Sequence, residues 1–128
     1  MHYGSACTTL AGVWEVRFSQ EAEAWIDTLT DGEFRSFFGA VDALELVGPS
    51  LGRPIVDTIR GSRHANMKEL RSVGGNLRAL FAFDPRRQAI ILLGGDKTGN
   101  WRGWYEQNIP RADDLYDDYL DYLKEQQP

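Results

Sequence analysis

The chain has 128 residues, enough for one domain with one core, and no apolar run approaches the roughly 20 residues that a membrane-spanning helix needs. Cys7 is the only cysteine, which excludes an intramolecular disulfide and fits a reducing, cytoplasmic setting. The net charge of −5 conceals three blocks: residues 1–50 carry two Arg against eight Asp/Glu, residues 51–103 ten Lys/Arg against four, and residues 104–128 two against seven. A basic middle between acidic ends can hold phosphates on a protein that is acidic overall.

Residues 1–12 are small, polar and aperiodic, and read as a flexible leader without the basic-then-apolar pattern of a signal peptide. Residues 13–18 alternate Trp14, Val16 and Phe18 against Val13, Glu15 and Arg17, which predicts a strand. Ser19 is a natural N-cap for a helix with Ala22, Trp25, Ile26 and Leu29 on one face. Asp31 then caps a second helix, whose apolar stripe takes Phe34, Phe37, Phe38, Val41, Leu44 and Leu46, and Gly48-Pro49 ends it. The segment 51–66, with Gly52, Pro54 and Gly61, is a connection in which Ile55 to Ile59 forms a turn or short strand.

Three strand-like runs come next: Met67 to Val73, Leu77 to Asp84 and Gln88 to Lys97. Gly75-Asn76 suits a two-residue hairpin loop, a register in which Val73 faces Arg78 and Arg71 faces Leu80. Arg71 and Arg78 then share one face, with Leu70, Phe81 and Phe83 on the other, toward the helices. Asp84-Pro85-Arg86-Arg87 is the next turn, and the nearly all-apolar Ala89 to Leu93 predicts a central strand buried on both sides. Asn108-Ile109-Pro110 interrupts the chain beyond that strand, and Asp113 or Asp114 opens a last helix. Leu115, Tyr119, Tyr122 and Leu123 are its buried side, and Asp114, Asp117, Asp118 and Asp121 its acidic one.

Two His and one Cys without ligand spacing predict no metal centre. The Gly94-Gly95-Asp96-Lys97 run lacks the spacing of a P-loop, and there is no dinucleotide fingerprint, so no cofactor is expected. What remains is a group of cations, Lys68, Arg71, Arg78, Lys97 and Arg102, able to hold a phosphodiester and to offset charge growing at phosphorus. RNA brings its own nucleophile, the 2′-OH, so its cleavage needs positioning and proton transfer but no metal. Trp101, Trp104 and Tyr105 offer a surface for base stacking. Against this stand plainer roles: Arg71 pairing with Glu69 or with an acidic helix residue, and Trp104 and Tyr105 as core. The acidic face of the last helix either screens the basic strands in the free protein or is simply solvated.

Leu51-Gly52-Arg53-Pro54, Ile59-Arg60-Gly61-Ser62-Arg63-His64, Met67-Lys68-Glu69-Leu70-Arg71, Asn76-Leu77-Arg78 and Ile91 to Lys97, in this order and spacing, resemble the phage-derived Gp49-like or HigB-like toxins of the RelE/ParE superfamily. The resemblance spans about residues 13–123. It implies a single α+β domain, an N-terminal strand and helical hairpin packed on a small, mainly antiparallel twisted sheet, with a C-terminal helix. It further implies a type II toxin–antitoxin component that cleaves mRNA on the ribosome and has a helix-turn-helix antitoxin, touching DNA only through the antitoxin complex. On this pattern Arg71, Arg78 and Lys97 are the catalytic candidates, and Lys68, His64, Arg102, Trp101 and Tyr105 the RNA- or phosphate-binding ones. The sequence departs from the family in having Asp96-Lys97 where many members have two lysines. That departure keeps two other readings in play: a ParE-like toxin acting on a protein such as DNA gyrase, and a non-catalytic module that regulates its operon.

Overall fold

The computed structural model describes residues 4–5, 14–96, 98–99 and 101–126, with no side chain for residues 4, 5 and 101. Cys7, Lys97, the Trp101 side chain and the leader other than Gly4–Ser5 lie outside the described residues. The order of elements is β1 (Gly4–Ser5), β2 (Glu15–Phe18), α1 (Gln20–Ile26), α2 (Asp31–Val47), β3 (Val56–Thr58), β4 (Met67–Arg71), β5 (Leu77–Phe83), β6 (Gln88–Asp96) and α3 (Trp101–Glu125). The strands form one sheet in the order β1-β2-β6-β5-β4-β3, antiparallel except where β2 runs parallel to β6. This is the expected α+β arrangement. Gly4–Ser5, expected to be leader, is an edge strand against Arg17 and Phe18.

The sheet is covered on both faces. Val16, Phe18, Leu70, Leu77, Ala79, Phe81, Ala89 and Ile91 pack against Ala22 of α1 and Phe37, Ala40, Val41 and Leu44 of α2. Met67, Leu80, Ala82, Ile90, Leu92 and Leu93 pack against Ile109, Ala112, Tyr116, Tyr119 and Leu123 of α3. A strand between two apolar layers has no polar side, which is why Ala89 to Leu93 reads as continuous apolar sequence.

Ser19 caps α1 as expected. Its Oγ accepts from the Ala22 N–H at 3.0 Å and donates to the Leu92 carbonyl at 2.5 Å, tying the helix start to β6. The second helix corrects its expected cap. Thr30, not Asp31, is the N-cap, in a capping box where Thr30 Oγ1 accepts from Glu33 N–H and Glu33 accepts from Thr30 N–H. Leu46 falls outside the stripe at 71% exposure.

Two further expectations change. The loop between β4 and β5 has four residues, 73–76, closed by Ser72 N–H donating to the Leu77 carbonyl at 3.2 Å. Arg71 therefore pairs with Arg78 and Glu69 with Leu80, a shift of two residues from the Gly75-Asn76 register. The shift is even, so every side chain keeps its face while its cross-strand neighbour changes. Ser36 of α2 anchors the longer loop by donating to the Val73 carbonyl at 2.7 Å, a tertiary contact that a hairpin motif does not announce. The last helix begins at Trp101 rather than near Asp113 and runs through Pro110. Burial of Ile109 and Ala112 on either side of the proline holds the helix to the sheet.

A bulge separates Leu80–Leu93 from Phe81–Ile91, leaving Leu92 as an extra residue in β6. Beyond it Gly94 pairs with Ala79 and Gly95 with Arg78. Trp25 of α1 covers Gly94 and Trp104 of α3 covers Gly95. A Cβ on either glycine would lie 2.4 Å from the indole above it, so both positions demand glycine for close approach.

Candidate functional site

Arg71 and Arg78 stand directly opposite one another on β4 and β5, on the face that α3 covers. Like charges in that position repel. Glu69, two residues before Arg71 and diagonal to Arg78, resolves the conflict. It is 2% exposed and accepts from Arg71 Nε at 3.0 Å, while Arg78 Nε lies 3.7 Å from its other oxygen. The Tyr105 hydroxyl of α3 donates to that second oxygen. Asp57 of β3 accepts from Arg71 NH2 at 2.9 Å. The result is a network in which a buried carboxylate sits between two guanidiniums and a phenol.

The remaining donors define what the network can bind. Arg71 uses Nε and NH2 on carboxylates, and no described residue accepts from its NH1. Arg78 donates NH1 to the carbonyls of Gly75 (3.3 Å) and Leu77 (3.0 Å), its buried Nε has no hydrogen-bond partner, and no described residue accepts from its NH2. Each arginine thus keeps one terminal nitrogen for a ligand. A cleft of 410 Å³ beside Arg71 is lined by Asp57, Arg60, Glu69, Arg71, Tyr105 and Ile109 among others.

Burial works against the charge on Arg71, but the hydrogen bond and charge of Glu69, with Asp57, outweigh it and raise its pKa. Burial first, and then the Glu69 bond, pushes the Tyr105 hydroxyl up to about 12. Tyr105 therefore enters any reaction as a neutral phenol.

The other sequence candidates are dispersed. Lys68 is on the face of Leu70, opposite to the arginines, so it does not join them. His64 bonds Asp117 through Nε2 at 2.8 Å and packs edge-on against Tyr116. Arg102 is exposed and lines a second groove with Tyr105. Lys97 and the Trp101 side chain are outside the described residues. Trp104 covers Gly95, next to Arg78 in the sheet.

The acidic face of α3 does not screen the arginine pair. Asp113, 1% exposed, accepts from Ser62 Oγ at 2.5 Å and from Arg63 N–H at 2.9 Å, and Arg63 also bonds Asp114 (3.1 Å) and Asp117 (2.6 Å). That face holds the β3–β4 connection instead. Glu69 enters the site fully only in three dimensions, although its alternation with Arg71 already placed both on one face. Among the described residues, no group of three or more His, Cys, Asp or Glu could hold a metal ion.

The model of the family described as phage-derived protein Gp49-like matches residues 24–117. The chain belongs to that family. Two relatives in Mycobacterium tuberculosis carry the names "Putative toxin HigB3" and "Putative toxin HigB2". The first is 53% identical over 100 residues, covering 78% of this chain and 88% of the relative. The second is 46% identical over 112 residues, covering 85% of this chain and 56% of that longer relative. The fold resembles a chain in the crystal structure of the archaeal RelE-RelB complex from Pyrococcus horikoshii OT3, with a TM-score of 0.52, 16% identity, and coverage of 67% of this chain and 97% of that one. This Gp49-like protein is thus similar in sequence to two proteins named as HigB toxins, and it has a RelE-like fold. No helix among the described residues is long and apolar enough to cross a membrane.

Proposed function

We propose that the toxin cleaves mRNA on the ribosome without a metal, using the cleft beside Arg71 and Arg78. The observation that carries this reading is the facing arginine pair, each member with one terminal nitrogen left over, of which Arg71 lines an open cleft. In the reaction the substrate's 2′-oxygen forms a bond to the adjacent phosphorus, and the bond from phosphorus to the 5′-oxygen breaks. The 2′-OH proton leaves, a proton reaches the departing 5′-oxygen, and the products are a 2′,3′-cyclic phosphate and a 5′-OH. Negative charge grows on the non-bridging oxygens, where two guanidiniums act most strongly. Tyr105, neutral at physiological pH, stacks on a base or passes a proton. Lys97, the residue after β6 in the sequence, is a further candidate cation for the same substrate. The partner is an antitoxin, a reading in line with the RelE-RelB complex of the structural neighbour, and the family resemblance implies that it is a helix-turn-helix protein.

Expression without an antitoxin tests the proposal. Growth arrest with new RNA ends inside translated codons is expected, and loss of both in an Arg71→Ala, Arg78→Ala double variant. Arrest with intact mRNA and a supercoiling defect would instead identify a gyrase-directed toxin.

A further inference from the structure

The cleft beside Arg71 does not stop at Tyr105. A second groove of 310 Å³ adjoins it and shares Arg60, Tyr105 and Ile109 with it. Gly61, Arg102, Glu106 and Pro110 complete its lining. Tyr105, Ile109 and Pro110 lie on one side of the helix and supply ring and aliphatic surface, while Arg60 comes from the β3–β4 connection and Arg102 from the first turn of α3.

The two rim arginines differ from the other arginines of the neighbourhood. Arg53 and Arg71 bond Asp57, Arg63 bonds three aspartates, and Arg111 bonds Glu21. Arg60 and Arg102 are exposed and make no ion pair or side-chain hydrogen bond with any described residue. Two cations against the one carboxylate of Glu106 leave the lining net positive, which suits an anion, and the apolar floor of Tyr105, Ile109 and Pro110 suits something flat attached to it. A volume of 310 Å³ falls at the lower end of small-ligand sites, which is the size class of one nucleoside.

We propose that this second groove is a nucleotide subsite, which holds the residue of a single-stranded RNA next to the one at the Arg71–Arg78 pair. Its base packs on Tyr105, Ile109 and Pro110, and its phosphate is met by Arg60 and Arg102. Arg60 lies where the two grooves join and takes the phosphate that links the two nucleotides. Stacking surface plus backbone cations is the usual construction of a single-strand site. The subsite rests on the cleavage reading above for the identity of the polymer, and it adds a length requirement: two consecutive nucleotides must be seated together.

The test uses the full chain and two non-cleavable probes, 2′-O-methyl dinucleotide and trinucleotide, with inorganic phosphate as a third. Arg60→Ala, Arg102→Ala is the working variant; both side chains are exposed, so the fold is kept. Expected is at least a tenfold loss of trinucleotide affinity in this variant, with weaker binding of inorganic phosphate as well, and a shift of the Ile109 methyl resonances of the wild type on adding trinucleotide. Wild-type trinucleotide affinity in the variant, or Ile109 resonances that do not move, would overturn the subsite. Cellular cleavage separates the two readings. Cleavage abolished by Arg71→Ala, Arg78→Ala but unaltered in rate and position by Arg60→Ala, Arg102→Ala would sink the subsite alone. RNA binding that depends on Arg60 and Arg102, in a protein that cuts nothing, would keep the subsite and remove the cleavage reading.

Discussion

Tyr105 gives its hydroxyl hydrogen to Glu69, so a side chain of α3 closes the charge network that β4 and β5 begin. The phenol's proton goes to the buried carboxylate. Tyr105→Phe removes the bond and keeps the ring. It is expected to leave ring stacking intact while freeing one Glu69 oxygen for Arg78 Nε. Retained RNA binding with a changed cleavage rate in steady-state kinetics is the expected outcome; equal loss of both would assign Tyr105 to binding alone.

The same bond sets a dependence on alkaline pH. The unfolded phenol titrates at its ordinary 10.0 and the folded one at about 12, so between these values the folded state holds the extra proton. Stability contributed by the neutral phenol is complete below pH 10 and is lost as pH rises through about 12. Ultraviolet titration of wild type against Tyr105→Phe checks this. Glu69→Gln should bring the phenol transition down, because one of the groups that raise it is then uncharged.

Glu69→Ala leaves two arginines facing each other without the carboxylate between them, with Asp57 the counter-charge left on Arg71. Removing one partner from a buried ion network costs about 3–5 kcal/mol, and the lower end applies because the Arg71 side chain is 29% exposed. A fall in the urea midpoint at unchanged m-value would measure it. Replacing Glu69, Arg71 and Arg78 together by apolar residues should recover much of the loss, since no buried charge is then left alone.

Gly95→Ala places a methyl 2.4 Å from Trp104 Nε1, inside contact distance. Either the indole or the first turns of α3 must move, at a cost of roughly 1–3 kcal/mol. Tyr105 is the next residue, so cleavage should fall more than stability does. Tryptophan fluorescence and a thermal melt on the same sample separate the two effects.

At the far side of α3, Arg63 first and then His64 hold the Asp117 carboxyl below its usual range. Its contribution is present above the ordinary carboxylate value of 3.8 and is lost as pH falls through the lower folded value. Asp117→Asn should flatten that part of the acid stability curve. An unchanged acid transition would mean that Asp113, which carries the buried bonds to Ser62 and Arg63, holds the connection by itself.

The sheet faces were legible because side-chain alternation survives an even error in register. Arg71 and Arg78 keep a common face whether the loop has two residues or four, although only the longer loop sets them opposite each other. The cap of α2 and the start of α3 were less legible. Thr30 and Asp31 are both good caps, and the reciprocal bond from Glu33 decides between them. Pro110 reads as a break, but the apolar contacts on either side of it keep the helix on the sheet. The family motifs drew Lys68 into the cationic group because it is close in sequence, while its strand position sends it to the other face. Arg60 stood in a family motif but not among the candidate site residues; its place depends on how the β3–β4 connection is held against α3.

The extra residue at Leu92 gives β6 two phases. Up to Ile91 the strand keeps time with β5 for the sake of the core, and from Leu93 onward it runs one step late. Without that delay Gly94 would stand opposite Arg78, and Trp25 and Trp104 would each meet the wrong partner. A one-residue deletion at Leu92 would therefore act as a frame error confined to the exit of the strand, rewriting the surroundings of the arginine pair while leaving the upstream register alone.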